Sequence, residues 1–443
     1  AGAIVLGAST VSGTYSVIAT AGGGITQTGA LAITGVSTFQ ADTSNDITLT
    51  TATNNFVAAV GITSGLNVSL TDAGAIALGA STVSGTYSVI ATASGGITQT
   101  GDLIITGAST FQADTSNDIT LNRATNNFVG AVGITSGNNI QLVDAGAIDI
   151  GASTITGTLA VTATTGGDIT DSAAISVGGT STFTAANGQD IILDSASTYT
   201  GTVAFAGTTL ADVTINDSNA LDLAALTLTG NLSVTAGGAV TQSGALVIPG
   251  TTTISASGFD VTLATATNNF TLAVAVTGAN VQLVDAGAID LGASTITGTL
   301  AVTATTGGDI TDSAAISVGG TSTFTAANGQ DIILDSASTY TGTVAFAGTT
   351  LADVTINDSN ALDLAALTLT GNLSVTAGGA VTQSGALVIP GTTTISASGF
   401  DVTLATATNN FTGAVAVTGA DVQLVDAGAI VLGASTVSGT YSV

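Results

Sequence analysis

Asp72-Ala73-Gly74-Ala75-Ile76 returns unchanged as Asp144-Ala145-Gly146-Ala147-Ile148, Asp285-Ala286-Gly287-Ala288-Ile289 and Asp426-Ala427-Gly428-Ala429-Ile430. Residues 1–72 and 73–144 are therefore copies, and so are 145–285 and 286–426. The two longer copies differ only at Ile150/Leu291, Leu272/Gly413 and Asn280/Asp421. Residues 427–443 repeat residues 1–17, so one super-period closes at Asp426 and another opens. Such self-similarity is the mark of stacked like units, and the window is expected to come from a longer array.

A finer period runs inside the copies. At regular intervals a small or Asx residue precedes Ile or Val and opens an alternating apolar run, from Gly24-Ile25 to Asp421-Val422. Of the eighteen corners, fourteen are Asp or Asn. One long segment, such as Asn67–Gly95, is followed by two short ones, such as Gly96–Asn117 with Asp118–Asn138, and the three make one unit. Alternation of period two puts apolar side chains on one side of a strand and Thr, Ser or Asp on the other. Phe39, Phe111, Phe183 and Phe324 recur at one matching place, and Phe56, Phe128, Tyr199, Phe270, Tyr340 and Phe411 at another. These read as inward core stacks.

Composition narrows the choice. The 443 residues hold one basic side chain, Arg123, and 28 acidic ones, all Asp, for a net charge of −27. One Arg cannot neutralise a phosphate backbone, which excludes nucleic-acid binding. Without Cys or His there is no disulfide, no thiol or imidazole metal ligand and no nucleophile–imidazole pair. With 45% hydrophobic and 7% charged residues, disorder is excluded as well. Most strong helix formers are missing while Val, Ile and Thr abound, so the chain is all-β. No apolar run approaches the ~18 residues of a spanning helix, and no aromatic girdle suggests a membrane barrel, so no membrane insertion is expected.

A segment of ~22 residues buries too few aliphatics to offset its ordering entropy alone. Stacking segments supplies both a core and backbone partners, which predicts a parallel β-helix, a β-solenoid. The expected form is one continuous solenoid over 1–443, with repeat units 1–72, 73–144, 145–285 and 286–426, and 427–443 starting the next. About eighteen coils of ~20–29 residues, in a three-coil super-repeat, would reach some ~90 Å at ~4.8 Å per coil. The extra residues of long segments, as in Asp144–Ile150, read as one more strand on the coil face. Right-handed coiling follows from the general preference of parallel crossovers.

Gly238-Ala-Val-Thr-Gln-Ser-Gly-Ala-Leu-Val-Ile248, Thr267-Asn-Asn-Phe270 and Val281-Gln-Leu-Val-Asp-Ala-Gly-Ala-Ile289 resemble the shaft repeats of filamentous-haemagglutinin-like adhesins. These are large bacterial surface proteins typically secreted by the two-partner route. The resemblance covers essentially the whole chain in texture, and it implies a shaft. The family's secretion domain and receptor-binding regions have no counterpart in this window.

Candidate sites have plainer readings beside them. The Asx corners suit turns, because Asp and Asn bond nearby amides. Stacked one coil apart, Asp168, Asp190 and Asp212, and again Asp309, Asp331 and Asp353, would also offer oxygen clusters to Ca²⁺. No other cofactor or metal site is expected. Catalysis needs a base, a charge-stabilising group and a unique cleft, whereas this chain offers Asp alone in recurring copies. No catalytic residue is assigned and the chain reads as a non-enzyme. Arg123 replaces Thr51 of the sister copy and looks like drift. Thr48–Thr53 and Thr251–Thr253 could form flat hydroxyl arrays. The expected function is an extracellular, cell-surface structural protein: an adhesin shaft, or a fibre or sheath subunit that associates with itself end to end or laterally. The alternative is a carbohydrate- or ice-binding β-helix using a Thr face, with surface or matrix polysaccharide as partner.

Overall fold

The computed structural model describes residues 2–20, 22–348 and 350–443. Every regular element among them is a strand, every strand pairing is parallel, and no helix is long and apolar enough to cross a membrane. The chain forms two compact units, 1–224 and 225–443. Each is a β-solenoid, as the stacking argument requires.

In the first unit the chain passes alternately between two facing sheets. Ile4–Leu6, Ile25–Gln27, Ile47–Leu49 and Val68–Asp72 pair in register in the first sheet. Tyr15–Ile18, Ser37–Gln40 and Val60–Ser64 pair in the second. Short strands at one edge, Ser9–Val11, Leu31–Ile33 and Asn55–Phe56, make a narrow third face. Alternation does what the pattern implies: in Ile47–Leu49 the outer residues are buried and Thr48 is half-buried on the outside. Side chains on the inside make aromatic ladders, with Tyr15, Phe39 and Phe56 meeting edge-to-face at centroid distances of 6.0 and 6.2 Å. Such contacts add about 0.5–1.5 kcal/mol each beyond burial.

The coil length differs from the sequence expectation. The shortest step between register partners is Val274 to Leu291 and the longest Gln112 to Ser136, so no described coil is as long as a long segment. A long segment is instead one and a half turns. After Val68–Asp72 in the first sheet, the Asp72–Ile76 corner carries the chain straight to Ile76–Val83 in the second, with no third strand between. The coil therefore closes early, and Val68 pairs with Tyr87. The extra residues of the long segment, such as Ile148–Ile150, lie in the sheet opposite Ile140–Asp144 rather than beside it. Six long segments of one and a half turns and twelve short ones of one turn make about 21 turns, not eighteen.

Each three-segment repeat thus contributes seven sheet strands, or three and a half turns. Because seven is odd, successive copies exchange sheets. Thr26 lies in the first sheet, its copy Thr98 in the second, and the next copy Thr170 in the first again. The second unit alternates likewise through Leu232, Leu300 and Leu373. The third-strand edge changes side with it: Leu31 follows a first-sheet strand, whereas Leu103 follows a second-sheet strand.

Candidate functional site

The polar side chains with chemistry fall into two systems, and both join one coil to the next. The first is the row of Asx corners. Asp168 Oδ1 accepts the main-chain N–H of Asp190 at 2.9 Å, and Asp190 Oδ1 accepts that of Asp212 at 2.9 Å. Asp309, Asp331 and Asp353 repeat the arrangement at 2.9 Å per step, and the row continues through Asn372 to Thr392. Asp46 accepts from both the main chain and side chain of Asn67, which in turn accepts from Thr86. A carboxylate one coil below an unpaired N–H satisfies it where the strand begins, so the corner is a turn residue and a rung together. No group of three or more Asp among the described residues is arranged to hold a metal ion.

The corner row starts with Gly in the first two copies for a steric reason. A Cβ on Gly24 or Gly96 would lie 2.5 Å from the carbonyl oxygen of Asp46 or Asp118.

The second system is buried. Asn54 is wholly buried and forms a reciprocal amide pair with Gln27, Nε2 to Oδ1 at 2.8 Å and Nδ2 to Oε1 at 2.9 Å. The same Oδ1 accepts the N–H of Leu31, and Nδ2 also donates to the carbonyls of Leu49 and Thr71. Beside it the buried carboxylate of Asp72 accepts the N–H groups of Phe56 at 2.6 Å and Gly74 at 2.7 Å. Burial pushes the Asp72 carboxyl above its ordinary range, and the two N–H groups oppose that rise. Gln99, Asn126 and Asp144 repeat this staple, and so do Gln242, Asn268 and Asp285. It clamps the tight corner to the third strand of the coil below.

Part of this arrangement is legible in the sequence. Phe56 and its equivalents are inward aromatics, as expected. Asn54, two residues before Phe56, is the most bonded side chain of the repeat. A visible signal existed: Gln27, Asn54 and Asp72 recur at matched spacing as Gln99, Asn126 and Asp144.

Two further expectations need revision. Arg123 is not drift in isolation, because its guanidinium pairs with Asp102, which stands where the sister copy has Ala30. Hydrogen bonding from the Thr125 side chain, and then from Arg123, lowers the Asp102 carboxyl below its ordinary range. The Thr251–Thr253 run is not a flat array, since Thr252 is completely buried between its outward neighbours. In the first unit the outward hydroxyl row Thr26, Thr48, Ser69, Ser88 and Thr110 ends at Gly133, and a longer row, Thr235, Ser255, Thr277, Thr295, Ser317 and Thr339, runs through the second unit.

A family described as "Repeats of unknown function (DUF5649)" matches residues 1–63, 65–135, 137–206, 210–277, 278–347 and 351–418. The chain belongs to this family. No curated protein and no solved structure matches it. The six DUF5649 matches follow the three-segment repeat, so one family repeat corresponds to seven half-turns and carries one buried staple.

Proposed function

We propose that this DUF5649 chain is a non-enzymatic structural protein, working outside the cell as the shaft of a surface adhesin or as a fibre or sheath subunit. The observation that carries this reading is the use made of the polar side chains. The corner Asp and Asn residues and the buried Gln, Asn and Asp residues bond main-chain groups of neighbouring coils. Such groups stabilise a stack and leave little for a reacting substrate. Recurrence in copy after copy also suits a spacer, whose length scales with repeat number, better than a site that occurs once. The resemblance to haemagglutinin-type shaft repeats supports the bacterial-surface setting, and the net charge of −27 suits solubility there. Association with further copies of the chain fits the same role, and Ca²⁺ at the exposed acidic corners would lessen repulsion between them.

Immunogold labelling of intact, unpermeabilised cells tests this reading. Label on surface fibres or a surface layer is expected; label confined to the cytoplasm would overturn it. The five-rung hydroxyl row ending at Thr110 favours a second reading, a carbohydrate- or ice-binding face. Retention of the protein on matrix polysaccharide, abolished by Ser69→Val with Ser88→Val, would support that reading instead.

A further inference from the structure

The buried staple is not the same in every copy. In the third and fifth copies the place of Gln27 is taken by Asp171 and Asp312, and the place of Asn54 by Ser197 and Ser338. The bonding pattern shows that these are true replacements. Ser197 Oγ accepts the N–H of Ile175 at 3.0 Å, as Asn54 Oδ1 accepts that of Leu31. Asp217 accepts the N–H groups of Tyr199 and Asn219 at 3.2 Å each, as Asp72 accepts those of Phe56 and Gly74. Asp171 accepts the N–H of Ser195 at 3.2 Å and the hydroxyl of Ser197 at 3.4 Å.

The neutral reciprocal amide pair is therefore exchanged for an acid and a short hydroxyl, and the aromatic changes with it. Tyr199 and Tyr340 replace Phe, and their hydroxyls are buried without a hydrogen-bond partner. A buried carboxylate with long, neutral donors is costly when ionised, because no cation offsets the lost hydration. The titratable groups facing Asp171 across the neighbouring strands are all acidic. Asp149 lies on the strand before it, Asp194 and Tyr199 on the strand after, and Asp217 on the next. The sole basic residue, Arg123, pairs elsewhere.

We propose that the third and fifth copies are acid-tightened joints: their buried Asp pairs hold the coils most firmly when protonated and loosen locally as they ionise towards neutral pH. Burial raises Asp171 and Asp312, with the Asp194 and Asp335 charges adding to it, and pushes Asp217 up to about 6. A folded value above the unfolded one means that the extra stability is complete below about 4, and is lost as pH rises through about 6. The Gln–Asn copies share only the Asp72-type carboxyl and so respond less.

Hydrogen exchange on the intact chain, corrected for intrinsic rates, tests this at pH 5.0 and 7.5. Protection over 195–200 and 336–341 is expected to fall severalfold more than protection over 52–57 and 124–129. Asp171→Gln with Ser197→Asn rebuilds the neutral staple, and should bring the pH response over 195–200 down to that over 52–57 while leaving 336–341 unchanged. Equal pH responses in the two classes of copy would overturn the proposal without needing the variant. An unchanged response in the folded variant would overturn it too.

Discussion

At the scale of the residue, the buried polar groups decide more than their number suggests. Asn126 satisfies Gln99, the N–H of Leu103 and the carbonyl of Val143 at once. Asn126→Ala should cost about 2–4 kcal/mol, because it strands several buried groups. Its exposed neighbour Asn127 should tolerate alanine within about 0.5 kcal/mol, and denaturant unfolding of both variants measures the contrast. The opposite sign is expected at Ser109, whose buried hydroxyl has no partner. Ser109→Ala should leave stability unchanged or raise it by about 1 kcal/mol. The buried Asp residues set the response to pH. Asp72, Asp144, Asp171, Asp285, Asp312 and Asp358 are raised chiefly by burial, and Asp217 to about 6. Raised carboxyls bind protons more tightly folded than unfolded, so stability should fall as pH rises from about 4 to 6. A melting temperature higher at pH 5.0 than at pH 7.5 is the expected scan, and the reverse order would contradict this picture.

At the scale of the element, period-two alternation is the controlling rule. Val132 is fully buried and Thr120 sits on the outer face of its strand. Val132→Asp should destabilise by several kcal/mol through an unpaired buried charge, whereas Thr120→Asp should be nearly neutral; equal unfolding midpoints would show the phase to be wrong. That phase was legible in the sequence, because most inward positions are aliphatic or aromatic in copy after copy. The division of strands between sheets was not. A corner residue followed by Ile or Val reads the same in either sheet, as at Asp46-Ile47 and Asp118-Ile119. The half-turn hidden in each long segment has no Asx residue directly before Ile or Val to mark its corner. It is made by the buried Asp72 and its contact with Phe56 on the preceding coil. Long-range bonds of that kind leave no local pattern, so the staple showed only as an unexplained constancy of spacing.

At the scale of the whole molecule, an odd count of half-turns has consequences that an integral count would not. Two family repeats make seven full turns and restore the original face, and the duplicated blocks 145–285 and 286–426 are each two repeats long. Removing residues 73–144 should leave a folded first unit, since coils contact mainly their neighbours, but residues 145–224 would then exchange sheets. Removing only 73–108 should disrupt pairing at the junction, because it joins unlike corners. Circular dichroism and thermal unfolding of the two deletions separate these outcomes.

The most direct test of the half-turn repeat is a pair of distances within the first unit. The chain has no cysteine, so paired Cys substitutions can be spin-labelled cleanly. Thr26 and Thr110 lie four turns apart on the outer face of the same sheet, whereas Thr98 lies on the opposite sheet. At ~4.8 Å per turn the Thr26/Thr110 pair should give about 19 Å, and Thr26/Thr98 about 30 Å once the ~10 Å sheet separation and outward labels are added. The pair closer in sequence should therefore be farther apart in space. A Thr26/Thr98 distance shorter than that of Thr26/Thr110, near the ~14 Å of three whole coils, would contradict the half-turn repeat.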